Sequence, residues 1–444
     1  MTLPRLLPLT FALGLCLALP VQAQSLLELV ESAQKYDSAW QGARAQLESA
    51  ERRADQARAG LLPSAALSAS VTRAQTDVTR PPVDRSATTQ SLGVNASQPL
   101  YRPANRIALQ QGERGVEIAR AQLDAATQDL LVRVSQAYFD VLAAQDTLSF
   151  VQAQKTAVAE QLASAKRNFE VGTATVTDQR EAQARFDLVV AQEIAAENDL
   201  RVKRLALDQL VGVTGTKPVP LAQPVQLPAV TPDDVNQWVE TSRHQQPGVR
   251  QAALALEVAR LETRRAETGH LPTVDLQAGY NITRNPNGTA TLPGVSSRTN
   301  NASLGVALNL PLFAGYAVQN RVRETLALEE KAQADLETVR RNAAQATRAA
   351  FFGVQSGQAQ VRALEAAELS SQSALDANRL GYQVGVRINI DVLNAQSQLF
   401  QTKRDLAQAR YSVLLGTLKL RQAAGTLTLD DVAAINRLLA PATP

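Results

Sequence analysis

The sequence predicts a mainly α chain with membrane-crossing β-strands, built as two structural repeats. Three observations predict it. The segment 169–178, with Phe169, Val171, Gly172 and Asp178, recurs as 382–391, with Tyr382, Val384, Gly385 and Asp391 at the same spacing. The same offset (382 − 169 = 213) carries Ala182 onto Ala395, Gln183 onto Gln396, Leu207 onto Leu420 and Gly212 onto Gly425, which is too regular for chance. Next, the stretches 102–167 and 315–379 hold almost nothing but helix formers, and a helix of about 65 residues is close to 100 Å long, too long for a compact domain. Finally, after Pro63 and after Pro272 the apolar period changes from helical to two.

Taken in order, residues 1–23 read as a leader. Arg5 gives the positive start, 6–19 the apolar run, and Val21 and Ala23 the small-residue cleavage pattern, so the mature chain is expected to begin at Gln24. The one cysteine, Cys16, lies in that run, which leaves the mature chain no disulfide, thiol nucleophile or thiolate metal site. Lys and Arg number 45 against 42 Asp and Glu, interleaved along helices, a solvated surface and not a nucleic-acid stripe. Beyond the leader no apolar run of about 18 residues appears, so an exported chain of this kind is either soluble in the periplasm or spans as strands.

The first repeat, 24–216, opens on the capping box of Ser25 and Glu28 and predicts one helix of about 35 residues, roughly 50 Å, stopped at Pro63. The second, 233–430, has Thr231 as a cap with Pro232 at the first helical position, and closes at Gly269 and Pro272. Val274, Leu276, Ala278, Tyr280 and Ile282 then alternate with polar or small residues, as do Ala302, Leu304, Val306 and Leu308. Leu67, Ala69, Val71, Leu92, Val94 and Ala96 repeat the pattern more weakly. Strands of about ten residues suffice to cross a bilayer at a tilt. Segments 73–90 and 284–300, rich in Thr, Pro, Asn and Arg, are expected as loops. Alternation alone fits a soluble hairpin equally well. Tyr101, Phe313 and Tyr316 at the inner strand ends, together with the leader, favour the membrane.

In the first long helix Leu130, Val134, Ala137, Val141, Ala144, Leu148 and Val151 step by four and three, a coiled-coil seam. Each long helix leads through a Gly-centred reversal to a shorter one, 178–212 and 391–425, which would lie beside it. Pro218, Pro220, Pro224 and Pro228 make 217–232 an extended connector, and 431–444 is a tail. His244 and His270 have no acidic or histidine partner at ligand spacing, and no phosphate loop, nucleophile elbow or carboxylate dyad stands out, so neither an enzyme nor a cofactor is expected. Four strands cannot close, whereas three chains supply about twelve, enough for a pore.

The leader, the Leu-Pro breaks at Pro63 and Pro272, the Val-Gly hairpins and the order of elements together resemble the TolC family of outer-membrane efflux and secretion channels, over essentially the whole mature chain. The resemblance implies a homotrimer whose outer-membrane β-barrel, four strands per chain and twelve per trimer, continues into a long periplasmic α-helical coiled-coil barrel. It implies a passive exit duct of a tripartite efflux or type I secretion system in a Gram-negative cell. The implied partners are outer-membrane lipid, an inner-membrane transporter driven by ATP or protons, and a periplasmic adaptor (membrane fusion) protein. The adaptor would meet the tips at Val171, Gly172, Val384 and Gly385. A soluble periplasmic coiled-coil adaptor or scaffold is the alternative. The family also implies a gate latch, with Tyr382 bonding Asp178 and Arg387 reaching Thr177 and Asp178. Its third contact, from Gln161, departs here because the family's acid is Arg379. Asp391 and Asn394, at i and i+3, fall where the family places an entrance ring of two acids. One ring of carboxylates is thus expected, unless Asp391 simply caps its helix.

Overall fold

Helix breaks, not helix formers, set the lengths of the elements. The computed structural model describes residues 24–79, 82–222, 224–225, 227–289 and 294–440, so the leader reading of 1–23 and the last four residues of the tail lie outside the described residues. The Ser25–Glu28 capping box starts α1 (Leu26–Tyr36). The expected single helix is two, because Asp37 takes an extended ψ and caps a second, α2 (Ser38–Ala59), through the Trp40 amide at 2.7 Å. Arg133 also holds the Asp37 carboxylate, at 3.0 Å. In the second repeat Gln246 and Pro247 make the same break, between α5 (Val235–Gln245) and α6 (Pro247–Glu267). The cap of α5 is Asp234, not Thr231, since its carboxylate reaches the Asn236 amide at 2.9 Å.

Strands β1 (Ser64–Thr79), β2 (Pro82–Tyr101), β3 (Thr273–Asn285) and β4 (Ser297–Asn309) form one antiparallel sheet in that order. They are longer than expected. Most of 73–90 is strand, a two-stranded ribbon running beyond the point where β3 joins at Gln90 opposite Arg284, and β3 reaches Asn285 and β4 begins at Ser297, both inside the segment expected as a loop. Backbone pairing satisfies a polar strand as well as an apolar one, so polarity in 73–90 marked water and not a loop. In register across all four strands, Leu67, Val94, Tyr280 and Ala302 form one row and Ala65, Ala96, Ala278 and Leu304 another. The rows between are polar or small, such as Ser68, Gly93, Asn281 and Asn301. The apolar face is uncovered, with Leu304 76 % and Val71 73 % exposed, and β1 and β4 are free edges within the protomer.

Two long helices, α3 (Pro103–Glu170, 68 residues) and α7 (Ala317–Gln383, 67 residues), run about 100 Å each. Beside α3 lie α4 (Val176–Val211) and α2, and beside α7 lie α8 (Asn389–Ala424) and α6, so each shorter helix after a turn does lie along its long one. The coiled-coil seam is buried at Leu130, Val134, Val141, Ala144 and Val151 and half-buried at Ala137 and Leu148. At the junction with the strands, Arg102 clamps Asp275 of β3 with two hydrogen bonds, 2.8 and 2.6 Å.

The connector is not a free linker. Val219 and Leu221 are buried, the Tyr138 hydroxyl donates to the Val219 carbonyl at 2.8 Å, and a short helix, α9 (Leu429–Asn436), adds Val432 and Ile435 to the same core. Phe139 stacks on Tyr411 of α8 there, 5.7 Å between centroids, so the first repeat's long helix is packed directly on the second repeat.

Candidate functional site at the hairpin tips

The two repeats turn with the same hydrogen bonds, one offset apart. The Gly172 amide donates to Phe169 O and the Thr173 amide to Asn168 O, while Gly385 donates to Tyr382 O and Val386 to Gly381 O, all at 2.8–3.1 Å. Gly172 and Gly385 sit at φ +77° and +78°, a region open to glycine at no steric cost. Val171, Val176, Val384, Val386 and Ile388 are exposed around the two tips, an apolar surface with no covering element in the protomer.

Past the turns the repeats diverge. Thr175 caps α4 through a box in which Asp178 accepts from the Thr175 amide at 3.0 Å and hydroxyl at 2.7 Å, and the Asp178 amide returns to Thr175 Oγ1. The repeat-equivalent of Thr175 is Ile388, which has no oxygen to offer, so Asp391 is not bound in a box. It lies 3.7 Å from the Arg387 guanidinium instead, half-buried. Asn394, one turn on and exposed, accepts from Arg185 Nη2 at 2.9 Å.

The polar links between the hairpins are not the expected ones. Tyr382 accepts from Asn168 Nδ2 at 3.1 Å, and Gln161 donates to Asn389, whose own amide points at the Asp178 carbonyl. Within the protomer Tyr382 does not reach the Asp178 carboxylate, and Arg387 does not reach Thr177 or Asp178. The capping box claims the Asp178 carboxylate and Asp391 claims Arg387, both through contacts a few residues away that cost less ordering entropy than a link between helices. Sequence reading missed Asn168, Asn389, Thr175 and Arg185. The available signal was Asn389, an amide set between Ile388 and Ile390 in the sequence; it begins α8 and is buried, where a polar group needs partners.

Midway along the helices the Tyr411 hydroxyl donates to Asp146 at 2.7 Å. Burial pushes the Asp146 carboxyl above its usual range, offset in part by that bond, and burial likewise pushes the Tyr411 phenol up. His244, expected to lack an acidic partner, lies 3.1 Å from the Glu240 carboxylate one turn before it, but among the described residues no group of three or more His, Cys, Asp or Glu is placed to hold a metal, and no helix is long and apolar enough to cross a membrane.

Known proteins are similar to this chain in sequence and in fold. The outer membrane protein TolC of Vibrio cholerae is 34 % identical over 434 residues, covering 97 % of this chain and 98 % of its own. The alkaline protease secretion protein AprF of Pseudomonas aeruginosa is 29 % identical, covering 98 % and 92 %. The crystal structure of the outer membrane protein VceC of Vibrio cholerae superposes with a TM-score of 0.76 over 90 % of this chain and 96 % of that one, at 22 % identity, a likeness of fold. A family model described as outer membrane efflux protein matches residues 29–213 and 238–426, one segment in each repeat, and the chain therefore belongs to the outer membrane efflux protein family.

Proposed function

We propose that the chain is the protomer of a homotrimeric exit duct, a passive channel opened at the hairpin tips when partners dock. The observation that carries this is the four-stranded sheet, apolar on one face in register and uncovered at both edges. Three copies supply twelve strands, which close the edges and turn the apolar face to lipid, while the helices continue the wall into the periplasm. A soluble adaptor would have to leave that face in water. The chain provides conduction and no chemistry. Its energy comes from an inner-membrane transporter, reached through a periplasmic adaptor that meets the exposed valines around Gly172 and Gly385. Drugs and secreted proteins are both admissible cargo, as the relatives' names span efflux and protease secretion.

In this reading Asp391 lines the entrance, Asn394 stands where a second carboxylate would, and the bonds of Asn168 to Tyr382 and of Gln161 through Asn389 to the Asp178 carbonyl hold the hairpins together in the closed state. The experiment is to extract the protein from outer membranes, measure its mass in detergent, and record single channels in planar bilayers. A trimer with discrete conductance steps is expected. A monomer or dimer, or recovery in the soluble periplasmic fraction, overturns the proposal.

A further inference from the structure

Just inside the tips, between the first hairpin and α8, lies a cavity of about 400 Å³. Arg185, Gln154 and Gln192 line it from the first repeat, and Asn394, Ser397 and Arg404 from α8; among the described residues no Asp or Glu lines it. Its two guanidiniums are engaged only by neutral groups. Arg185 Nη2 donates to Asn394 Oδ1 at 2.9 Å and Arg404 Nη2 to Gln401 Oε1 at 2.6 Å, and neither arginine forms an ion pair among the described residues. The Arg404 Nε atom is buried without a partner. So are the amide oxygens of Gln154, a residue only 4 % exposed, and of Gln192.

Half-buried guanidiniums with unused N–H groups, sharing one cavity with no carboxylate, are costly as they stand and complementary to an anion. The carboxamides fit the same ligand, since an amide turned over on its own axis presents N–H in place of oxygen at no change of shape. Ser397 adds a hydroxyl. We propose that this cavity is an anion site that takes a small oxyanion, a sulfate, phosphate or carboxylate group, between Arg185 and Arg404. The amide at 394 is what keeps it available: a carboxylate there would sit on Arg185 as an internal salt bridge and satisfy the guanidinium without any ligand. The inference uses the channel reading only for its effect on flux; the binding stands on the cavity alone.

The test is equilibrium dialysis of radiolabelled sulfate against the full-length protein in detergent at low ionic strength, where charge recognition is least screened. Saturable binding at one site per chain is expected, with chloride a weak competitor and citrate a good one. Arg185→Gln and Asn394→Asp should each weaken it by at least about tenfold, since each removes or occupies a charge-assisted donor. Thermal unfolding of the same samples checks that both variants fold, and Asn394→Asp, which adds an internal ion pair, should be no less stable than wild type. Absence of sulfate binding by the wild-type protein, or equal binding by wild type and the folded Arg185→Gln and Arg404→Gln double variant, overturns the proposal. A second readout separates it from the entrance-ring reading. Sulfate on the periplasmic side that lowers conductance in wild type but not in Asn394→Asp puts the site beside the conducting path. Sulfate that binds with no effect on conductance leaves the anion site standing and removes Asn394 from the entrance.

Discussion

The Tyr411 hydroxyl donates to the Asp146 carboxylate at 2.7 Å, joining α8 of the second repeat to α3 of the first. The carboxyl is pushed up by burial, so it binds a proton more readily folded than unfolded. Its contribution to stability is therefore greatest below the ordinary carboxylate range and is lost as pH rises through the raised value. Asp146→Asn keeps an acceptor for Tyr411 and should leave the protein as stable as wild type or more so near neutral pH. It should also flatten the change in melting temperature between about pH 4.5 and about pH 7.5. Tyr411→Phe leaves the carboxylate buried without its donor and should cost about 1–3 kcal/mol in the same thermal measurement.

Asp37 behaves in the opposite sense. Burial raises its carboxyl, but the Arg133 guanidinium and the Trp40 and Ala39 amides outweigh it and hold it below the usual range. Its stabilisation is present above the ordinary carboxylate range and lost as pH falls through the depressed value. Asp37→Ala removes the α2 cap and the Arg133 partner and should cost about 1–3 kcal/mol at neutral pH, an effect that shrinks in acid.

Gly172, Gly385 and Gly425 share a positive φ but not their surroundings. A methyl at either tip glycine meets open space, whereas at Gly425 it would lie 2.4 Å from the Gln246 backbone, which cannot turn aside. Gly172→Ala and Gly385→Ala should cost only the left-handed conformation, about 1–2 kcal/mol each. Gly425→Ala should cost about 1–3 kcal/mol more, by denaturant titration in detergent.

At the hairpin tips, Arg387 lies beside Asp391 and Arg185 beside Asn394. Asn394→Asp alone should therefore leave block by a trivalent cation on the periplasmic side little changed, because Arg185 neutralises the new charge. Combined with Arg185→Gln it should tighten block several-fold, and Asp391→Asn should weaken cation selectivity. Identical block in the single and double variants would show that these groups do not face the ions.

The contacts between hairpins point to Asn168 as the partner of Tyr382. Tyr382→Phe and Asn168→Ala should each raise single-channel conductance, and the double variant should gain little beyond either one, as expected of a shared bond. Fully additive gains would mean that the two act separately.

The repeat offset, the two long helices, the Gly-centred turns and the alternating strands were legible in the sequence because each is a local, periodic property of the chain. The hairpin glycines and the coiled-coil seam are of this kind. What the tertiary structure decided was which partner each polar group takes. Asp178 and Asp391 are the same residue in the two repeats. One accepts from the Thr175 hydroxyl at 2.7 Å and is consumed by a capping box, while the other follows Ile388 and is left to Arg387. Arg185 and Asn394 are 209 positions apart, and only the packing of α4 on α8 makes them neighbours. A hydrogen bond is directional and short, so its partner is chosen by the few ångströms that packing sets, whereas hydrophobic burial needs only a face, and a face can be read from spacing alone.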